Sequence, residues 1–266
     1  MTKPSTLCRP ASAAAFVFTV VAAIGCDPGG DGRLTATPGS VAATSEVARA
    51  VTQPWRQIGN DGWQYLRRGS SIDDDIVMDA SAPMSPPEVL RVVFTPDMGR
   101  DREPSVHWVS LPTAREVYAR WWIKLSSNWS SSPAGGGKMA FLHAAPSGMG
   151  QVYTSLHGSA APHRMIINTE WAPYGQKIWE PNMTRTPIVY GRWYRMEWHM
   201  KWPPHGARSG GTLRWWVDDV LNGEYRDVVF PSGGSGFHQF EFAPTLQNPP
   251  PSVQYMFIDH TNINAY

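Results

Sequence analysis

From Val117 to Leu125 apolar and polar positions alternate. Val117, Ala119, Trp121, Ile123 and Leu125 fall on one side, and Tyr118, Arg120, Trp122 and Lys124 on the other. The stretch from Arg192 to Trp202 repeats the pattern: Tyr194, Met196, Trp198, Met200 and Trp202 against Arg195, Glu197, His199 and Lys201. Successive side chains of a strand point to opposite faces, so this period predicts strands with one face in a core and one toward water. Shorter runs predict strands at Val89–Phe94, Val106–Val109, Met139–His143, Gln151–His157, Arg164–Thr169, Thr212–Val217, Gly223–Phe230, Phe237–Pro244 and Val253–Ile263. Breakers separate them: residues 85–87 (SPP), 131–137 (SSPAGGG), 203–206 (PPHG), 232–236 (SGGSG) and 248–251 (NPPP). Asp218-Asp219 reads as a hairpin turn, and 171–179 (WAPYGQKIW) as a loop. Many short strands, regular Gly/Pro punctuation and no helical period predict an all-β fold. It is a two-sheet antiparallel β-sandwich, a jelly roll, over residues 55–266.

The first 54 residues carry a different pattern. Lys3 and Arg9 precede the small and apolar run 11–24 (ASAAAFVFTVVAAI). That run is shorter than the ~20 residues needed to cross a bilayer. A basic flank, a short apolar run and a small-residue exit predict a secretory signal. Its end, Ala23-Ile24-Gly25-Cys26, resembles the bacterial lipobox, in which the cysteine becomes the acylated first residue. The expectation is a lipoprotein signal peptide at 1–25, lipidation of Cys26 and a flexible linker at 26–54. The linker is rich in Gly, Pro, Ala, Thr and Ser, too poor in large apolar groups to offset the entropy of ordering. The protein is then exported and held at the cell envelope, touching the membrane through its lipid alone.

A net charge of +1 and a charged share of 17% provide no basic field, which sets nucleic acid aside as a partner. The only cysteines, Cys8 and Cys26, precede the folded part, so it holds no disulfide framework and no cysteine metal site. No GxSxG elbow, HExxH helix motif or Walker loop occurs. Nothing calls for an organic cofactor or a catalytic metal. Asp73-Asp74-Asp75 offers hard oxygen ligands for a structural calcium, although its spacing is that of a solvated acidic turn. The unusual feature is aromatic: 13 Trp, 9 Tyr and 9 Phe.

Four stretches carry a family resemblance: 116–129 (EVYARWWIKLSSNW), 135–142 (GGGKMAFL), the set GRWYRMEWHMK, GTLRWWV and GEYRDV between 191 and 228, and 255–263 (YMFIDHTNI). In these the chain resembles the concanavalin A-like lectin/glucanase superfamily, in its polysaccharide-lyase-like branch of alginate and glucuronan lyase-like proteins. The resemblance implies a jelly roll that receives polysaccharide on its concave sheet. The branch holds lyases, glycosidases and non-catalytic glycan-binding modules, so the fold does not choose among them.

β-Elimination of a uronate glycan needs a group that neutralises the carboxylate, a base for the C5 proton and an acid for the leaving oxygen. By parity Gln151, Tyr153 and His157 share one side of a strand, Lys138 leads the strand before it and His143 ends that strand. Together with Arg120 on the polar side of its own strand, Gln151, Tyr153, His157 and Lys138 form the candidate catalytic set. Trp122, Trp216, Arg214, Trp171 and Asn168 form the candidate carbohydrate-binding set, because aromatic faces suit pyranose rings and polar neighbours fix hydroxyls. Polar residues on an exposed sheet face also occur without any function. Glu197 and Glu241 serve as a glycosidase pair only at a separation of roughly 5–9.5 Å. Asp259 and His260 alternate and are expected to face apart. Three readings follow: a glycan-binding lipoprotein, a polysaccharide lyase, and a structural or adhesion module.

Overall fold

The structure, a computed structural model, describes residues 56–58, 67–72, 74–84, 87–131, 137–171 and 175–266. The signal, Cys26 and the linker lie outside the described residues. The strands are β1 (Arg56–Ile58), β2 (Arg67–Ile72), β3 (Asp74–Met78), β4 (Glu88–Phe94), β5 (Ser105–Ala114), β6 (Glu116–Leu125), β7 (Gly137–Ala145) and β8 (Gly150–His157). They continue as β9 (Arg164–Trp171), β10 (Gly175–Trp179), β11 (Trp193–Lys201), β12 (Gly211–Val217), β13 (Val220–Val228), β14 (Gly236–Leu246) and β15 (Gln254–Ala265). No helix occurs among the described residues. One sheet runs β13-β12-β11-β6-β15-β4-β3, with β1 beside β15, and the other runs β10-β9-β8-β7-β14-β5-β2. Every strand pairing in both is antiparallel. The expected β-sandwich jelly roll is what the chain forms.

Its apolar stripes meet between the sheets. Trp121 on β6 and Trp198 on β11 are fully buried, with ring centroids 5.3 Å apart at 76°. Phe240 and Phe242 of β14 close on Trp121 from the opposite sheet at 6.1 and 5.8 Å. Edge-to-face packing of this kind adds to the burial of large rings. The indole N–H groups of Trp121 and Trp198 are buried in this cluster with no hydrogen-bond acceptor. A second cluster joins Trp171 to Phe230 at 5.1 Å and Trp202 to Phe230 at 4.6 Å. Trp171 is therefore a core residue that ends β9, 5% exposed, and not a loop aromatic.

Local backbone needs are visible in the β12–β13 hairpin. Asp218 and Asp219 both take positive φ, 50° and 65°, as a two-residue hairpin turn requires. Within the hairpin Gly223 lies opposite Trp215, and a Cβ there would stand 2.1 Å from the indole ring.

Four strands fall outside those that the sequence pattern predicts. β10 is an edge strand with four of its five residues exposed, so its side chains follow no burial pattern. β1 and β2 are short, and β3 begins within the acidic triplet read as a turn. In β3 Asp75 pairs with Arg91 at 2.8 Å, while Asp74 turns to Ser105 and His107. Adjacent strand residues point apart, which keeps these carboxylates from one ion. Asp259 and His260 depart from simple alternation in the other direction. A register shift in β15 and a φ of 30° at His260 bring its Nδ1 to 2.5 Å from Asp259 Oδ1.

Trp121→Ala should lower the unfolding free energy by about 3–5 kcal/mol, as for other large aromatic truncations in a core. Gly223→Ala should lower it by about 1–3 kcal/mol through the displaced Trp215 ring. Urea unfolding followed by tryptophan fluorescence measures both.

Candidate functional site on the seven-stranded sheet

The outer face of the seven-stranded sheet carries two rows of side chains set by register. One row is Glu170, Gln151, His143, Gln239 and Ser110 across β9, β8, β7, β14 and β5. The next is Asn168, Tyr153, Phe141, Glu241 and Trp108. Neighbouring strands lie about 4.8 Å apart, so each row is a continuous strip of groups. Phe141 is the apolar floor, stacked on Tyr153 at 5.2 Å and on His143 at 6.2 Å.

Polar contacts organise the strip. His143 Nε2 stands 3.4 Å from Glu241 Oε2, an ion-pair distance without hydrogen-bond geometry. Gln239 Nε2 donates to the same carboxylate at 2.7 Å. Lys138 Nζ lies 5.1 Å over the Tyr153 ring. Gln176 of β10 donates to the Tyr153 hydroxyl at 2.5 Å and to Asn168 at 3.3 Å, and Asn168 donates to Ser155 at 3.1 Å. Gln151 donates to Glu170 at 3.1 Å. Tyr153 is 2% exposed, whereas Lys138, Glu170 and Gln176 are exposed and His143, Gln151, Gln239 and Glu241 half-buried. Burial first, then the Glu170 charge, push the Tyr153 phenol up to about 12. Burial and the Glu241 charge push the Glu103 carboxyl up, against Lys138 and His143, which places Glu103 within the field of the same strip.

The structure brings together Lys138, Gln151, Tyr153 and Asn168 of the residues singled out from sequence. His157 shares their face but lies four residues along β8 from Tyr153. Its Nδ1 meets Arg164 at 2.9 Å and Glu180 at 3.3 Å. Arg120, Trp122, Arg214 and Trp216 stand on the outer face of the other sheet, on β6 and β12. There the Arg195 guanidinium lies 5.9 Å over Trp122, Arg214 holds Glu224 at 2.6 Å, and Trp216 packs near Tyr118 at 6.2 Å. Parity assigns a side chain to the outside of its strand but does not say which sheet owns the strand. Trp171 is in the core, and Glu197 and Glu241 belong to different sheets, which removes them as a glycosidase pair. Glu241 enters the sequence pattern only as a glycosidase partner of Glu197 and His143 only as a strand end, while Gln239 and Gln176 carry no expectation at all. The outward placement of Gln239 and Glu241 was legible, since Phe240 and Phe242 in the core put both outside. Among the described residues no group of three or more His, Cys, Asp or Glu is placed to hold a metal ion.

The family model described as polysaccharide lyase matches residues 62–242. The chain belongs to the polysaccharide lyase family. No curated protein matches it by sequence. Among solved structures it is similar to the endo-β-1,4-glucuronan lyase of the fungus Trichoderma reesei, at 16% identity over 80% of this chain and 95% of that one, with a TM-score of 0.55. It is also similar to the cellulose induced protein Cip1, at 14% identity over 78% and 95%, TM-score 0.54. A third is the alginate lyase Aly36B, at 11% over 78% and 95%, TM-score 0.51. At these identities the likeness is one of fold.

In this polysaccharide lyase family member the two outer faces differ in how their charges are used. On the eight-stranded sheet Tyr118 donates to Glu197, which pairs with Arg195 at 2.8 Å. Glu116 sits between His199 Nε2 at 2.7 Å and Lys201 Nζ at 3.0 Å. The His199 hydrogen bond, helped by Lys201, pulls the Glu116 carboxyl down to about 2. These pairs knit β6 to β11.

Because the folded-state value lies below the ordinary 4.5, the stability from Glu116 is complete above pH 4.5 and is lost as pH falls toward 2. Glu116→Gln should flatten the fall in the urea midpoint across that window and lower the midpoint near pH 6. Unfolding curves at pH 6 and pH 3 check the sign.

Proposed function

We propose that the chain is a polysaccharide lyase that cleaves uronate-containing glycan by β-elimination on the outer face of the seven-stranded sheet. The observation that carries this is the placement of the His143–Glu241 pair and the Tyr153 phenol on either side of Phe141. It puts a base and an acid on one open strip, with an amide and an ammonium beside them. In this reading His143 takes the C5 proton, and Glu241 orients the imidazole and stabilises the imidazolium. Lys138 and Gln151 hold the uronate carboxylate, whose oxygens carry the growing negative charge. As the C4–O bond breaks, the electron pair left at C5 forms the C4–C5 double bond and Tyr153 protonates the departing oxygen. A phenol raised to about 12 keeps that proton at neutral pH. The phenol meets a glycan once the exposed Gln176 side chain turns aside.

The 2% exposure of Tyr153 favours a second reading, glycan binding without cleavage. A panel of uronate polysaccharides separates the two, scored by the absorbance of unsaturated uronates and, in parallel, by retention of the protein on immobilised glycan. Under the lyase reading His143→Ala should lose about 10²–10⁴-fold in product formation, the usual worth of a positioned base, and Tyr153→Phe a comparable factor, with retention kept by both. Retention without product by the unaltered protein would leave the binding reading. Neither product nor retention would end both.

We further propose that the domain works at the cell envelope, tethered through acylated Cys26 by the 26–54 linker. Several acyl chains on one residue anchor stably, whereas one is marginal. Cys26→Ala should move the protein from the membrane fraction to the soluble fraction and abolish labelling by radioactive palmitate.

A further inference from the structure

The outermost strands of the two sheets, β10 and β13, border a depression that the strip described above does not include. It is open to solvent and has a volume of about 490 Å³, within the roughly 300–1,000 Å³ of small-molecule sites. Trp179 and Tyr225 lie in its wall with ring centroids 4.8 Å apart. Their polar ends are already committed: Trp179 Nε1 donates to Thr169 at 3.0 Å and the Tyr225 hydroxyl to the Glu180 carbonyl at 2.7 Å. Lys177 Nζ lies 3.8 Å over the Trp179 ring, and Lys177, Arg226 and Asp227 are exposed. Glu224 accepts from both Arg214 and Arg226.

From this we infer that the depression is a saccharide subsite, which takes a neutral sugar unit of the same glycan chain that lies across the strip. The inference rests on the proposed function. Three features carry it. Fixed aromatic carbon surface beside rotatable polar ends suits a pyranose, with its apolar face and its ring of hydroxyls. The lining charges cancel, Lys177 and Arg226 against Glu224 and Asp227, so an unbroken polyanion gains no net attraction while hydroxyls find both donors and acceptors. The depression is also within reach of the strip around the exposed edge of β10: Gln176 caps Tyr153 on one side of that strand, while Lys177 and Trp179, of the opposite parity, line the depression on the other. From β8 to β10 is two strand spacings, about 10 Å, so a chain seated on Tyr153 reaches this edge within a few sugar units. The substrate class is then a heteropolysaccharide in which uronate residues are spaced by neutral sugars.

The test uses the full chain carrying His143→Ala, to prevent cleavage, with glucuronan, alginate and gellan (in which glucuronate is spaced by neutral sugars), each as polymer and as short oligosaccharide. Affinity is read by calorimetry. Lys177→Ala and Asp227→Ala, both at exposed positions, and Trp179→Ala should lower the ratio of polymer to oligosaccharide affinity about tenfold, one well-made contact's worth. The exposed-site variants keep the test valid if Trp179→Ala fails to fold. An unchanged ratio in glycan-binding protein overturns the subsite and leaves the proposed function standing. A larger ratio for glucuronan or alginate than for gellan, or binding confined to those homopolymers, overturns the neutral-sugar assignment. Binding of none of the three overturns the proposed function and the subsite with it.

Discussion

Phe240 and Phe242 reach from β14 across the sandwich into the rings of Trp121 and Trp198, and most of the molecule follows from that contact. Two phenylalanines spaced by one residue fix which side of β14 faces the core. They therefore fix Gln239 and Glu241 on the outside. Trp121 and Trp198 do the same for β6 and β11, committing Arg120, Trp122, Glu197 and His199 to the opposite surface. Close packing leaves no room to shift a strand by one residue without turning large rings into water, and so the register that builds the His143–Glu241 strip is a property of the core. Changes to these rings should be felt on the surface as well as in stability.

The alternation that predicts the strands is strong because half-buried antiparallel strands need it. Eleven of the strands were accordingly legible, as was the turn at Asp218-Asp219. The edges were not. β10 packs against one neighbour and is exposed along most of its length, so nothing in GQKIW distinguishes it from a loop. Faces were also legible: Gln151, Tyr153 and Arg120, Trp122 were all correctly outside. What no local pattern encodes is the sheet to which a strand belongs. That depends on which of several similar stripes find each other across the whole chain, and it separated Arg120, Trp122, Arg214 and Trp216 from Lys138, Gln151, Tyr153 and Asn168. His157 fails for a different reason. Residues of one parity share a face over the full length of a strand, yet four residues of strand span about 13 Å. Arg164 and Glu180 satisfy the imidazole there.

The two outer faces show that polar side chains alone do not identify a site. On the β6–β11 face of the eight-stranded sheet charges are matched one to another: Glu116 with His199 and Lys201, Arg195 with Glu197, Lys124 with Asp79. Such a surface gains little from a ligand, since each new contact must break an existing pair. On the seven-stranded sheet the groups are half-committed. Lys138 rests on an aromatic ring, His143 stands at ion-pair distance from Glu241 without a hydrogen bond, and Gln151 is held by one bond to an exposed carboxylate. Their remaining hydrogen-bonding capacity faces outward, which is what a glycan with its many hydroxyls requires.

The burial of Tyr153 bears on this contrast. An exposed phenol would also be protonated at neutral pH, so retaining the proton does not explain why the ring is covered. What burial changes is the strength of the hydrogen bond the hydroxyl makes. In a low-dielectric setting, with Lys138 over the ring and Phe141 beneath, a bond from the hydroxyl to an oxygen that is gaining negative charge is worth more than the same bond in water. Lys138 strengthens this further, because its charge favours the anion that forms as the proton leaves. The cover at the hydroxyl itself is one amide, Gln176, on an exposed edge strand, and a sugar hydroxyl can take over its bond. The covered tyrosine and the half-committed histidine are thus two aspects of one arrangement. In the proposed lyase reading the core holds the rings in place, and the group that gives way to a sugar is the exposed Gln176 side chain at the edge.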